Sequence, residues 1–191
     1  MQIFVSSKRW NFYIISVEIV TIGILTAFLF YNPSVNHNVG KKIILINDGL
    51  IYQKGESHPF TGRILDTLQK KIIIEYDVVN GLKNGEFFLS TLDGIHTVYG
   101  FINNKKNVGT WQYYYDDGQL ECTGNFNDDK PTGKWVWYYQ NGVKKSEGIY
   151  IKGKPEGKWI QYDQFGQPNL IIKYQAGELL SIVKINKPNL L

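Results

Sequence analysis

Nucleophiles, bases and metal ligands are scarce in this chain, and they are scattered. Its three histidines are His37, His58 and His96, and its one cysteine is Cys122. The histidines share no ligand spacing, neither i, i+4 on a helix nor a CxxC neighbour. His37 falls in a polar tether, His58 in an early turn and His96 just after a hairpin turn. Cys122 lies mid-strand without a partner motif, whereas a reactive thiol needs an accessible, electropositive setting. Asp116-Asp117 and Asp128-Asp129 pair carboxylates, but both pairs sit in turns, where Asp bonds its own backbone. Calcium needs more oxygen ligands in one loop than either pair offers. The glycines open no helix and so form no phosphate loop. These residues predict a protein that is not an enzyme, with no catalytic, cofactor or metal site. The rival is an enzyme built on an unfamiliar site, which would lose activity on changing one polar residue without losing its fold.

The elements that carry these residues follow from a repeat. Gly62, Gly85, Gly109, Gly133 and Gly157 are spaced by 23, 24, 24 and 24 residues. Gly94, Gly118, Gly142 and Gly166 step by 24, as do Gly100, Gly124 and Gly148. Phe87, Trp111, Trp135 and Trp159 keep the same period. Three independent marks on one period identify a repeat architecture. Cys122 aligns with Val98 and Ser146 in the sister units, which are ordinary strand residues.

Each unit reads as two strands. WQYYY and WVWYY are short aromatic runs, and aromatic residues favour strands. DDG and QNG follow as tight turns between strand runs. The second run, QLECTGNF or VKKSEGIY, is more polar. A longer turn, NNKKNVG, NDDKPTG or IKGKPEG, closes the unit. Alternation along a strand puts Trp111, Tyr113 and Tyr115 on one face, and likewise Trp135, Trp137 and Tyr139. Stacked units turn these into aromatic ladders. The glycines leave room for a neighbouring ring over bare backbone. The fold class expected is all-β: one elongated antiparallel sheet of tandem β-hairpin repeats, whose units stabilise one another.

The totals agree. With 191 residues there is room for one domain and an accessory segment. Aromatic content is 15%, led by 13 tyrosines. A net charge of +4 does not call for nucleic acid. A single cysteine excludes an intrachain disulfide framework.

Residues 10–31, WNFYIISVEIVTIGILTAFLFY, match the roughly 20 residues of a membrane-crossing helix. Trp10, Tyr13 and Tyr31 stand at its ends as interfacial aromatics. Glu18 lies inside the run, either toward the interface or protonated, or as a functional intramembrane carboxylate. No small-x-small cleavage site follows, so the segment reads as an uncleaved signal anchor. Lys8 and Arg9 favour a cytoplasmic N-terminus and an exported repeat domain, against Lys41 and Lys42 beyond the other end. The expected organisation is a basic segment (1–9), the anchor helix (10–31), a tether and leading strand (32–47), the repeats (48–180) and a C-terminal cap (181–191).

The segment from Gly109 to Gly166, GTWQYYYDDGQL through WIQYDQFG, resembles tandem MORN-repeat variants of the kind found in bacterial YwqK-family, antitoxin-like proteins. Gly49 to Ile64, with its Tyr-x-Lys-Gly and Pro-Phe-Thr-Gly, resembles the first unit of such proteins. The resemblance spans about residues 48–180. It implies a β-hairpin solenoid used for protein or lipid interaction. Departures cluster at the ends: Ile64 and Phe87 replace the tryptophan, Ser90-Thr91 the tyrosine pair, and Ser181 the next glycine.

The long turns carry Lys105, Lys106, Lys130, Lys134, Lys152, Lys154 and Lys158, and the tight turns Asp93, Asp116 and Asp117. Stacking lines these up as a basic edge and a mildly acidic one, either a docking site or a solvated row that blocks association. The expected contact surface is Trp111, Tyr114, Trp135, Tyr138, Trp159 and Tyr162 on the sheet, with Lys106, Lys130 and Lys154 on the edge. The expected role is a non-catalytic, membrane-anchored scaffold at the cell envelope with a protein partner. The alternatives are an antitoxin or immunity protein occluding a toxin, and peripheral binding of anionic lipid through the basic edge.

Overall fold

The computed structural model of the chain describes residues 37–39, 42–68 and 70–185. The anchor helix and the basic segment before it lie outside the described residues. Among those described, no helix is long and apolar enough to cross a membrane, and every regular element is a strand. β1 (His37–Val39), β2 (Lys42–Asn47) and β3 (Leu50–Gln53) form a small antiparallel sheet. Part of the stretch read as a tether is therefore strand. The main sheet contains β4 (Gly62–Leu68), β5 (Ile72–Val79), β6 (Leu82–Thr91), β7 (His96–Asn103), β8 (Lys106–Tyr114) and β9 (Leu120–Asn127). It continues through β10 (Lys130–Tyr138), β11 (Lys144–Ile151), β12 (Lys154–Tyr162), β13 (Pro168–Gln175) and β14 (Glu178–Lys184). Its eleven strands follow chain order from β4 to β14. At about 4.8 Å per strand the sheet extends for roughly 50 Å.

The expected tightness of the two turns is reversed. Asn103 pairs with Lys106, Asn127 with Lys130 and Ile151 with Lys154, leaving only two residues in each loop. Asn104 and Lys105 (φ 47° and 69°) and Asp128 and Asp129 (φ 55° and 64°) are all left-handed. Two consecutive residues with positive φ make the two-residue turn that matches strand twist. The DDG loop is wider, because Tyr114 pairs with Leu120 and residues 115–119 lie between. There only Gly118 has positive φ, so the chain needs a wider loop. Tyr115 N donates to Gln119 O (2.8 Å), and Gln119 N to Asp117 Oδ1 (3.0 Å).

The residues read as long turns are strand interrupted by a bulge. Tyr99 pairs with Gln112 and Phe101 with Val108, so four steps on β8 face two on β7. Gly109 sits in that bulge at φ 67°. The same irregularity recurs between β9 and β10 and between β11 and β12. Bulges bend a strand and increase its twist.

Tryptophan then fills the inner face. A Cβ on Gly124 would lie 2.0 Å from the Trp135 ring, and one on Gly148 2.1 Å from Trp159. Only bare backbone admits those rings. Trp111 Nε1 donates to Phe101 O, and Trp135 Nε1 to Asn125 O, both at 3.2 Å. Edge-to-face contacts join Phe126 to Trp135 (5.2 Å), Tyr150 to Trp159 (5.1 Å) and Trp159 to Tyr174 (5.8 Å). A continuous aromatic column from Phe87 to Tyr174 runs through the core, which Ile51, Ile64, Ile74 and Val78 complete at the first end.

Both rims are knitted between units. On the two-residue-turn rim, Lys105 N donates to Lys83 O, Asp129 N to Asn107 O and Gly153 N to Pro131 O, at 2.9–3.1 Å. On the other, Tyr115 OH donates to Tyr138 O (2.7 Å) and Tyr139 OH to Tyr162 O (2.8 Å). The leading hairpin joins the first rim through Ile51 N to Gly81 O (3.0 Å) and Lys105 Nζ to Gly49 O (2.7 Å).

Candidate interaction surface

The expected contact residues divide between two faces. Trp111 is 3% exposed and Trp135 fully buried. Both belong to the inner column, and neither is available to a partner; this corrects their placement on the contact surface. Each lies over the preceding strand, where a glycine, Gly100 for Trp111 and Gly124 for Trp135, admits its ring. Trp159 is half-buried over Gly148 and belongs to the same column. Its Nε1 is buried and, unlike those of Trp111 and Trp135, has no hydrogen-bond partner among the described residues.

Tyr114, Tyr138 and Tyr162 are half-exposed, one unit apart. Around Tyr162 a charged cluster forms on Glu147. Glu147 accepts from Lys134 (2.7 Å), Lys144 (3.1 Å) and the Tyr162 hydroxyl (2.5 Å). The Lys134 hydrogen bond, then that of Tyr162, hold the Glu147 carboxyl down to about 2. Desolvation, reinforced by Glu147, pushes the Tyr162 phenol up to about 12. Lys144 also lies 5.5 Å from the Tyr162 ring centre. Lys134, grouped by sequence with the basic edge, instead serves this face.

At the other end, Arg63 reaches Asp77 (2.7 Å), Glu86 (2.7 Å) and Glu75 (3.0 Å). Its hydrogen bond holds the Asp77 carboxyl below the usual range. Beside this network lies an open cleft of about 600 Å3 lined by Phe88, His96, Tyr99, Gln112 and Tyr114, among others. Phe88 packs on Tyr99 (4.9 Å) and on His96 (5.2 Å). His96 Nδ1 lies 2.9 Å from Ser90 Oγ. Sequence reasoning missed this cleft because it falls in the atypical second unit. The signal was the period itself: Phe88 and Ser90 align with Gln112 and Tyr114.

The basic edge is real but partly neutralised. Lys106, Lys130 and Lys154 are exposed along the two-residue-turn rim. Lys106 is ion-paired with Asp128. Lys83, on the same rim, is pushed down to about 8 by burial and then by Lys105. Cys122 is buried, and desolvation raises its thiol well above the ordinary range. Among the described residues no group of three or more His, Cys, Asp or Glu is placed to hold a metal ion.

The fold and this face define a tandem β-hairpin repeat protein. The MORN repeat variant profile matches residues 107–128 and 131–152, so the chain carries two adjacent MORN-variant repeats in its central hairpins. No curated protein matches the chain. Similar solved structures include a S. aureus TarM mutant in complex with Fondaparinux, alpha-GlcNAc-glycerol and UDP (11% identity, TM-score 0.31, covering 79% of this chain and 32% of that one). A second TarM structure (12%, 0.30, 78% and 32%) and a GtfA/B complex bound to UDP and GlcNAc (14%, 0.26, 83% and 29%) are also similar. The chain spans about a third of the length of these proteins. Likeness at that level carries no statement about activity.

Proposed function

We propose that this protein is a non-catalytic repeat module that binds a protein partner at the cell envelope. Segment 10–31 anchors it, with the repeats exported. The observation that supports binding is the contrast between the two faces. The inner face is closed by its aromatic column. The outer face has no second layer among the described residues and presents Tyr114, Tyr138 and Tyr162 beside charged clusters. Tyrosine is favoured at interface hot spots because it buries a large, rigid ring with a polar tip. The test is affinity purification of the tagged full-length chain from its own membranes, with Tyr138→Ala as comparison. A stoichiometric partner lost in the variant supports the reading. A partner retained at full level removes the tyrosine row from it.

A second reading rests on the exposed lysines of the rim: anionic headgroups docking at Lys105, Lys130, Lys152 and Lys154. It predicts vesicle binding abolished by high salt. Salt-insensitive binding, or none, removes it. Occlusion of a toxin is the remaining form of the protein-partner reading, and identification of the captured partner decides it.

A further inference from the structure

We propose that β14 is a self-association edge, through which two copies of this chain join their sheets in antiparallel fashion. From β5 to β13 every strand of the main sheet is paired on both sides. β14 is paired only with β13, so its outer backbone groups meet no strand among the described residues. Open edges of this kind are templates for another chain, and proteins normally guard them with charge. β14 is unguarded along its middle. Leu179 (48%), Leu180 (58%), Ile182 (42%) and Val183 (51%) are all exposed. Lys173 pairs with Ser181 and Tyr174 with Leu179, so Leu180 is bulged out with no partner on β13. The aromatic column also runs out here: Leu179 pairs with its last ring, Tyr174, and Ile182 with buried Ile172.

The charges select the occupant. β14 begins with Glu178 and ends with Lys184, with no charge between them. Antiparallel pairing of two copies sets the acidic start of each strand beside the basic end of the other. In the register centred on Ser181, Leu180 lies beside Ile182 of the second copy. Parallel pairing would place like charges together. The opposite end strand fits less well as an acceptor. β4 carries Arg63 and Asp66, and Arg63 is already engaged by three carboxylates. Pairing of β14 onto β4 would moreover be head-to-tail and give an open filament. The two-fold pair closes on itself and covers the apolar end.

The test uses the full chain in mild detergent at tens of micromolar, with mass read by light scattering after subtraction of detergent. The proteins are wild type, Leu180→Asp, Ile182→Lys and the double variant. Both positions are exposed, and a thermal melt checks that each variant folds. The wild type should be a dimer. Each single substitution should weaken it at least about tenfold. The double variant should recover it, because each new Asp then faces a new Lys across the pair. A monomeric wild type, a ladder of larger species, or a dimer that survives both single changes overturns the proposal. So does a folded double variant that stays monomeric after both singles dissociate.

Discussion

A methyl group decides whether a tryptophan is core or surface here. Gly124 lies under Trp135 with no room for a Cβ, so Gly124→Ala should displace the ring and cost about 1–3 kcal/mol in denaturant unfolding. Trp135→Ala should cost about 3–5 kcal/mol, whereas half-exposed Tyr138→Ala should cost distinctly less. Equal losses at Trp135 and Tyr138 would mean that the two faces are not distinguished as described. A second prediction concerns Glu147, whose carboxyl is held down to about 2 in the folded chain, below the ordinary glutamate range. A depressed carboxyl stabilises the fold above its unfolded pKa and loses that contribution as pH falls through the folded value. Thermal melts from pH 5 down to about pH 2 should therefore fall more steeply in wild type than in Glu147→Gln. Parallel curves would show that the Lys134–Glu147–Tyr162 cluster contributes nothing to stability.

Turns set the register of the hairpins, and their residues explain what sequence reading could see. Ala176 occupies a left-handed position (φ 52°) in the two-residue turn with Gly177, the place where sister units use Asn104 and Asp128. Alanine pays a conformational penalty there that asparagine largely avoids. Ala176→Asn should raise stability by about 0.5–1 kcal/mol in equilibrium unfolding, and a loss would contradict the assigned turn. The repeat was legible because glycine and tryptophan mark positions where backbone and ring must meet. The inner face was legible too, as Trp111 and Tyr113 share it by simple alternation and are both buried. Turn tightness was not. Asn-Lys and Asp-Asp can each sit left-handed, so Asn104–Lys105 closes a loop in two residues that reads as a long polar stretch. The contact set mixed Trp111 with Tyr114, which are an odd number of residues apart and lie on opposite faces. The cleft at Phe88 and Tyr99 was hidden because its unit lacks the tyrosine pair that marks the others.

As a whole the molecule is a stack in which each unit leans on its neighbours, so protection should grade along it. Backbone amides of β8 to β11, inside the aromatic column and knitted at both rims, should exchange with solvent most slowly. In the single chain, at concentrations too low for two copies to pair, those of β13 and β14 should exchange first, because only one side of that end is covered among the described residues. Uniform exchange would argue for a single cooperative block. The same gradient leaves the outer face of the central units as the most rigid platform for a partner.

The most direct test of that central claim is the partner captured by the full-length chain, quantified in parallel for wild type, Tyr138→Ala and Trp135→Ala, with a melting curve for each. The account predicts one stoichiometric protein, lost from Tyr138→Ala while that variant still melts near wild type, and lost from Trp135→Ala only as the fold itself weakens. No companion, or one indifferent to Tyr138, would contradict it.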